Sequence, residues 1–220
     1  MIGVVAHTGA VPATGSLTVD SQLRRLLDRG LADLAGRPTG ELSDLVRDLR
    51  DEQGATLVVH PALVPPSALV RLLLLGDKPG FVVVDMDDVD EFVPRADVDV
   101  PDRPLYLVHD AERGDEMRSW SPDEALPSIT ERSRTPLTLN EGISWLLQTP
   151  TLLEPNHCFM TIGSRKPTSK GLDARTPAIW ISGGTGRDGK DNKGAPKVGW
   201  CWAGNRHTWL GFASASRRSG

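Results

Sequence analysis

Apolar residues in the first third of the chain recur at the spacing of amphipathic helices. One apolar stripe runs through residues 23–34 and is followed by the helix-ending triplet Gly36-Arg37-Pro38. A second stripe, spaced i, i+3, i+4, i+7, runs through residues 42–49 and is stopped by Gly54. The pattern predicts a helical hairpin, and these two stripes carry no residues that indicate chemistry.

The middle of the chain alternates short apolar runs with turn residues. Residues 55–60, 80–84 and 105–108 have the length and composition of strands. Pro65-Pro66-Ser67 favours the start of a short helix that continues to residue 75. Because strands and helices mix here, this region is predicted to be α+β or α/β.

Two later helix starts carry capping boxes. Ser121 and Thr138 are each followed three residues later by a glutamate, Glu124 and Glu141. In a capping box the hydroxyl and the carboxylate accept hydrogen bonds from backbone N–H groups that the first helical turn leaves unpaired. We therefore interpret Glu124 and Glu141 as capping residues and not as catalytic carboxylates.

After Pro155 the pattern changes to strands. Residues 157–164, 177–182, 198–203 and 206–214 are rich in apolar and aromatic residues and are separated by turn signals. We predict an α+β fold in which N-terminal helices and a mixed middle region pack beside a C-terminal antiparallel sheet.

The domain organisation follows from these patterns and the length. Residues 1–16 are predicted to be an irregular lead-in, and residues 17–220 a single compact domain. Within that domain, residues 17–155 form the helical and mixed part, and residues 156–216 form a β-rich, basic part.

The last two predicted strands are joined by Gly204-Asn205, which is typical of a two-residue hairpin turn. In that hairpin Trp200 is opposite Trp209, and Trp202 is opposite His207. Since cross-strand partners share a face of the sheet, these four residues are predicted to lie on one face. The other face then carries Cys201, Thr208 and Leu210.

The charge is distributed unevenly along the chain. The net charge is −4, yet residues 157–220 contain eleven lysines and arginines and only three acids. A basic segment of this kind favours an anionic ligand or a nucleic acid. The alternative is that the acidic and basic regions face each other within the molecule. We expect weak or no specific binding to nucleic acid, because the acidic remainder of the chain opposes it.

Composition also bears on where the protein is found. No apolar run approaches the roughly 20 residues of a membrane-spanning helix, and residues 1–6 lack the basic start of a signal peptide. The two cysteines, Cys158 and Cys201, are too few for a disulfide framework. We expect a soluble cytoplasmic protein with reduced thiols and no membrane association.

Three further patterns bear on metal or nucleotide chemistry. The acidic run 85–91 is consistent with a cation site or with a solvated turn. Residues 184–190 match the first seven places of a P-loop, but Asp191 stands where Ser or Thr is needed. Zinc-ligand side chains occur without the short spacing of a zinc site, at His157, Cys158, Cys201 and His207. We predict no metal and no cofactor.

The C-terminal part contains four conspicuous motifs. They are Asn156-His157-Cys158-Phe159, Gly163-Ser164-Arg165, Pro177-Ala178-Ile179-Trp180-Ile181-Ser182 and Pro196-Lys197-Val198-Gly199-Trp200-Cys201-Trp202-Ala203-Gly204-Asn205-Arg206-His207-Thr208-Trp209-Leu210-Gly211. These motifs resemble the signature of a domain-of-unknown-function family found mainly in high-GC bacteria. The resemblance covers most of the chain, because residues 76–81 and 134–138 also match it. It implies a family without an assigned activity and indicates no catalytic residue.

The leading hypothesis is a binding protein for a small anionic ligand or for part of a macromolecular partner such as a protein. A tryptophan-rich face with basic neighbours suits a flat, charged ligand. The predicted ligand-binding residues are Arg165, Trp200, Trp202, Asn205, Arg206, His207 and Trp209.

Two other classes remain open. A hydrolase or transferase would use His207 as its catalytic general base and Arg165 or Arg206 to stabilise charge. A structural or interaction protein would use the tryptophans only as core. Burial of Trp202 and His207 distinguishes these classes, because a site requires both side chains to line a cleft.

Overall fold

The computed structural model describes residues 17–220; the predicted lead-in 1–16 lies outside the described residues. The α-helices in this range are α1 (Val19–Asp28), α2 (Leu31–Ala35), α3 (Thr39–Val46), α4 (Pro66–Leu69), α5 (Pro122–Glu131) and α6 (Leu139–Gln148). The strands are β1 (Ala55–Val59), β2 (Leu74–Leu75), β3 (Lys78–Pro79), β4 (Phe81–Val82), β5 (Val93–Pro94), β6 (Leu105–His109), β7 (Thr135–Pro136), β8 (Cys158–Met160), β9 (Ser164–Arg165), β10 (Pro167–Thr168), β11 (Gly171–Leu172), β12 (Arg175–Ile181), β13 (Pro196–Trp202), β14 (Leu210–Phe212), β15 (Ser214–Ala215) and β16 (Arg217–Ser219).

The first predicted helix is divided in two. Gly30 has φ +96°, a left-handed conformation that ends α1 and starts α2. The apolar stripe nevertheless continues across the break, since Leu26 and Leu31 are both fully buried. The second predicted helix is α3. It ends at Val46, whereas the apolar stripe continues to residue 49.

A three-stranded antiparallel sheet, in the order β1-β6-β16, lies against α6. Every residue of α6 is buried, since the helix lies between this sheet and a larger one. At Gly142 a Cβ atom would come within 2.5 Å of the Thr161 side chain, so the helix packs too closely there for any larger residue. The Ser144 hydroxyl accepts a hydrogen bond from the Val59 N–H (3.1 Å) and ties the helix to β1.

The larger sheet has five strands in the order β14-β8-β12-β13-β4. Two of its pairings, β12 with β13 and with β8, are antiparallel, whereas β13 pairs with β4 and β14 with β8 in parallel. One face joins the core around α6, and the other packs on Met117, Ala125 and Ile129. The predicted α+β class is confirmed.

The predicted hairpin of the last two strands is wrong. The strands β12 and β8 lie between β13 and β14, so Trp200 has no pairing with Trp209. All seven residues of β13 pair with β12 on one edge, β4 pairs with residues 197–198 on the other, and β14 pairs with β8. The turn itself starts earlier than predicted, because the Asn205 N–H donates to the Trp202 carbonyl (3.0 Å).

Both predicted capping boxes are confirmed. The Ser121 hydroxyl accepts from the Glu124 N–H, and the Glu124 carboxylate accepts from the Ser121 N–H (2.8 Å). Thr138 and Glu141 make the same pair of contacts at α6. The position of each helix start is thereby fixed by a short local motif.

Candidate functional site

The three tryptophans predicted to share a face are divided between the two faces of the five-stranded sheet, with Trp200 and Trp202 on one and Trp209 on the other. Trp200 and Trp202 form an edge-to-face pair at 4.6 Å on the side of the larger core. Trp209 packs on Trp180 (5.9 Å) with the smaller core, and the His207 ring lies 5.6 Å from Trp209. The predicted face of four residues is therefore wrong, and its cause is the wrong hairpin.

The remaining predicted residues have separate environments. Arg165 is buried and donates a hydrogen bond to the Asp173 carbonyl (2.7 Å), and burial lowers the pKa of its guanidinium. Asn205 is exposed in the turn after β13. Arg206 is exposed and forms an ion pair with Glu124. Of the seven predicted residues, Arg206 is the one that lines the cavity described next.

A cavity of about 490 Å³ lies where residues 203–209 meet the segment before α5. Two backbone hydrogen bonds join these segments: the Ser119 N–H donates to the His207 carbonyl (3.0 Å), and the Asp123 N–H donates to the Ala203 carbonyl (3.2 Å). The residues that line the cavity are Arg118, Ser119, Trp120, Glu124 and Arg206. We take this cavity as the candidate functional site and call it the Arg118–Arg206 cavity.

Local backbone geometry explains why an indole faces solvent here. Met117 is buried in the smaller core and anchors the segment, while Ser119 has φ +69°. This left-handed residue is uncommon for a serine and reverses the chain direction. Trp120 follows it and remains 40% exposed, immediately before the Ser121 cap fixes α5.

Glu124 connects the helix cap to the cavity. One oxygen of its carboxylate, Oε2, accepts hydrogen bonds from the Ser121 N–H (2.8 Å) and hydroxyl (3.1 Å). The other, Oε1, accepts from the Arg206 guanidinium. The Ser121 backbone hydrogen bond, followed by the Arg206 hydrogen bond, lowers the pKa of Glu124. The carboxylate is therefore charged at neutral pH and held in place.

Arg118, the second arginine of the cavity, is only loosely paired. Its guanidinium lies 3.4 Å from the Asp115 carboxylate and 3.5 Å from Nε2 of His157. Arg113 is closer to that carboxylate, at 2.6 Å. The Nε–H of Arg118 is buried without a hydrogen-bond partner in the part of the chain that is described. The Arg118 side chain is 36% exposed, so its terminal N–H groups, which make only the two long contacts above within residues 17–220, are the donors open to a ligand.

Sequence reasoning did not identify Arg118 or Trp120 as site residues. They lie far from the C-terminal motifs in sequence, next to a helix cap that has its own structural explanation. The one signal in the sequence was that an arginine and a tryptophan stand directly before the Ser121 helix cap. Only the tertiary contact of residues 203–209 with this segment joins them to Arg206.

The acidic run 85–91 is used in ion pairs. Asp88 pairs with Arg175 (2.6 Å) and Lys166 (2.7 Å), and Asp85 pairs with Arg187. Among residues 17–220, no group of three or more His, Cys, Asp or Glu side chains is arranged to hold a metal ion. The run therefore holds basic side chains of the C-terminal part, as in the alternative that the two charged regions face each other.

The glycine-rich segment 183–194 does not have P-loop geometry. It contains two short 3-10 turns, Gly186–Asp188 and Lys190–Asn192, where a P-loop would open an α-helix. Asp188 points inward and pairs with Lys197.

Both cysteines are free and buried. Burial raises the pKa of Cys158 to about 12 and that of Cys201 to about 11. Since the thiolate is the reactive form, neither side chain is suited to nucleophilic chemistry at neutral pH.

Comparison with known proteins places the chain in a family. Residues 25–220 match the family of unknown function DUF5701, and the chain belongs to that family. The searches found no matching curated protein and no matching solved structure. Across residues 17–220, none of the helices has the length and apolar character needed to cross a membrane.

Proposed function

We propose that this protein binds a small organic anion with a flat apolar group in the Arg118–Arg206 cavity. The observation that carries the proposal is the meeting of two arginines and an exposed tryptophan in one cavity. The proposal keeps the class of ligand expected from the sequence and moves its site from the sheet face to the loop beside it.

Each lining residue supplies one part of the recognition. The guanidinium groups of Arg118 and Arg206 offer several N–H donors in fixed directions, which suits anionic oxygens. The indole of Trp120 offers a flat apolar surface for stacking. The cavity volume, about 490 Å³, lies in the range of small-molecule sites.

The observations favour binding over catalysis. A hydrolase or transferase that uses His207 as its base needs that ring free to take a proton from a water or a substrate hydroxyl, whereas the ring packs against Trp209 at 5.6 Å. The buried thiols have raised pKa values, so neither is a ready nucleophile.

The experiment is a calorimetric titration with adenosine 5′-monophosphate, which combines an anion with a flat ring. We expect saturable binding to the unaltered protein and an affinity about tenfold weaker for Arg206→Gln, as for the loss of one charge-assisted hydrogen bond. Trp120→Ala should weaken binding to a similar degree, because it removes the stacking surface.

The matched control is Arg217→Gln. Arg217 is also an exposed arginine paired with a glutamate, Glu52, but it does not line the cavity. The control should bind like the unaltered protein. Equal weakening by Arg206→Gln and Arg217→Gln would indicate non-specific attraction to positive charge and would contradict the proposal, as would the absence of binding.

A further inference from the structure

We infer that the ligand anion is a phosphate monoester that bridges Arg118 and Arg206, and not a carboxylate. This inference rests on the proposed function. It names the chemical class of the ligand, and it follows from how the two guanidinium groups are already paired in the cavity.

The two arginines come from separate segments of the chain. Arg118 precedes α5, whereas Arg206 belongs to the loop between β13 and β14. A planar carboxylate has two oxygens that match a single guanidinium in a bidentate pair. A phosphate monoester has three terminal oxygens in tetrahedral directions, so it can accept from two guanidinium groups that approach from different sides.

Both arginines also have a resident carboxylate. Arg206 pairs with Glu124, and Arg118 lies 3.4 Å from Asp115. A carboxylate ligand would exchange one such ion pair for another of the same charge. A phosphate monoester carries a charge of about −1.5 to −2 at neutral pH, so it competes with these resident carboxylates more effectively.

Glu124 cannot move far from the cavity when the ligand arrives. Its carboxylate is bonded to the Ser121 N–H and hydroxyl, and these contacts form the cap of α5. The ligand must therefore displace the Glu124 carboxylate, which is held in place, from its ion pair with Arg206. The pair is well exposed on both sides, at 65% for Arg206 and 40% for Glu124, and an exposed pair of this kind is readily exchanged.

The test compares phenyl phosphate with phenylacetate, which present the same ring with different anions. On the unaltered protein we expect phenyl phosphate to bind at least about tenfold more tightly. In Arg118→Gln and in Arg206→Gln this preference should shrink to about threefold or less, because the bridge between two guanidinium groups is lost and only the larger charge of the phosphate still favours it.

The variant Glu124→Gln tests whether the Glu124 carboxylate and the ligand anion compete for Arg206. Glutamine also serves at the third position of a capping box, so the variant should keep α5 intact. It removes the resident charge and should tighten phenyl phosphate binding several-fold. Unchanged or weaker binding by this variant would show that Glu124 does not compete for Arg206 and would overturn that step.

The outcomes separate the inference from the proposed function. If phenylacetate binds as tightly as phenyl phosphate, and Arg206→Gln weakens both, the cavity binds anions but the phosphate inference is wrong. If the preference persists in Arg118→Gln, the bridging geometry is wrong. If neither compound nor adenosine 5′-monophosphate binds, the proposed function itself fails.

Discussion

Nζ of Lys197 lies 2.7 Å from Oδ1 of Asp188, and each of the two side chains is only 6% exposed to solvent. Asp188 also accepts a hydrogen bond from the Ser182 hydroxyl (2.9 Å), and the Lys197 ammonium lies 4.2 Å from the centre of the Trp180 ring. The pair fastens the glycine-rich segment 183–194 to β13.

Lys197→Met should destabilise the protein by about 3–5 kcal/mol, because it leaves the Asp188 carboxylate buried without a cation. The double variant Lys197→Met with Asp188→Asn should be more stable than the single variant. Urea unfolding measures both. The exposed Lys190 of the same segment is the control, and Lys190→Met should change the free energy of unfolding by less than about 0.5 kcal/mol. Equal effects of the two methionine variants would contradict the account.

Arg218→Met should also cost about 3 kcal/mol, since Glu141 is fully buried and Arg218 is its charged partner at 2.7 Å. Glu141 also accepts from the Tyr106 hydroxyl (2.9 Å) and caps α6. Because Arg218 lies on β16, the loss should increase amide hydrogen exchange in β16 as well as lower the unfolding midpoint. Unaltered exchange in β16 would show that this strand is held by its backbone pairing alone.

As the pH is lowered, the free energy of unfolding should fall more steeply for the unaltered protein than for the Asp88→Asn variant. The Arg175 hydrogen bond, with a further one from Lys166, lowers the pKa of Asp88 from 3.8 to about 2. A carboxyl whose folded pKa is depressed stabilises the fold above its unfolded pKa and loses this contribution as the pH falls through the folded value. The difference should be on the order of 1 kcal/mol after solvent screening, between pH 4 and pH 2. Urea unfolding across this window measures it, and parallel curves for the two proteins would contradict the assignment.

The thiols should react slowly in the folded protein. Burial raises the pKa of Cys158 to about 12 and that of Cys201 to about 11, so almost no thiolate is present at pH 8. Ellman's reagent should label both within minutes in urea and neither at a comparable rate without it. Fast labelling of the folded protein would show that one thiol is accessible and that its surroundings differ from those described.

Local sequence signals predicted where α4, α5 and α6 begin better than where helices end, since the helix predicted to reach residue 75 ends at Leu69. The caps at Ser121 and Thr138 were correct because both partners of each capping box lie within four residues, so no distant contact can change them. The apolar stripes located α1 and α3 for the same reason. Gly30 was missed as a break, because the stripe continues through it.

These local signals could not predict which strands pair with each other. Gly204-Asn205 looks like a hairpin turn, but whether two strands pair depends on which other strands compete for their edges. Here β12 pairs with the whole of β13, and β14 pairs with β8 instead. The candidate site was mislocated in consequence, since Arg206 meets Arg118 and Trp120 only through tertiary contacts.

The most direct test of the anion site uses fluorine NMR. The chain has six tryptophans, so incorporation of 5-fluorotryptophan gives one resonance for each, assigned with single Trp→Phe variants. On titration with phenyl phosphate, the account predicts a saturable shift of the Trp120 resonance, with those of Trp200 and Trp202 unchanged. Saturable shifts of Trp200 and Trp202 with no change at Trp120 would contradict it, because they would place the ligand on the sheet face and not in the Arg118–Arg206 cavity.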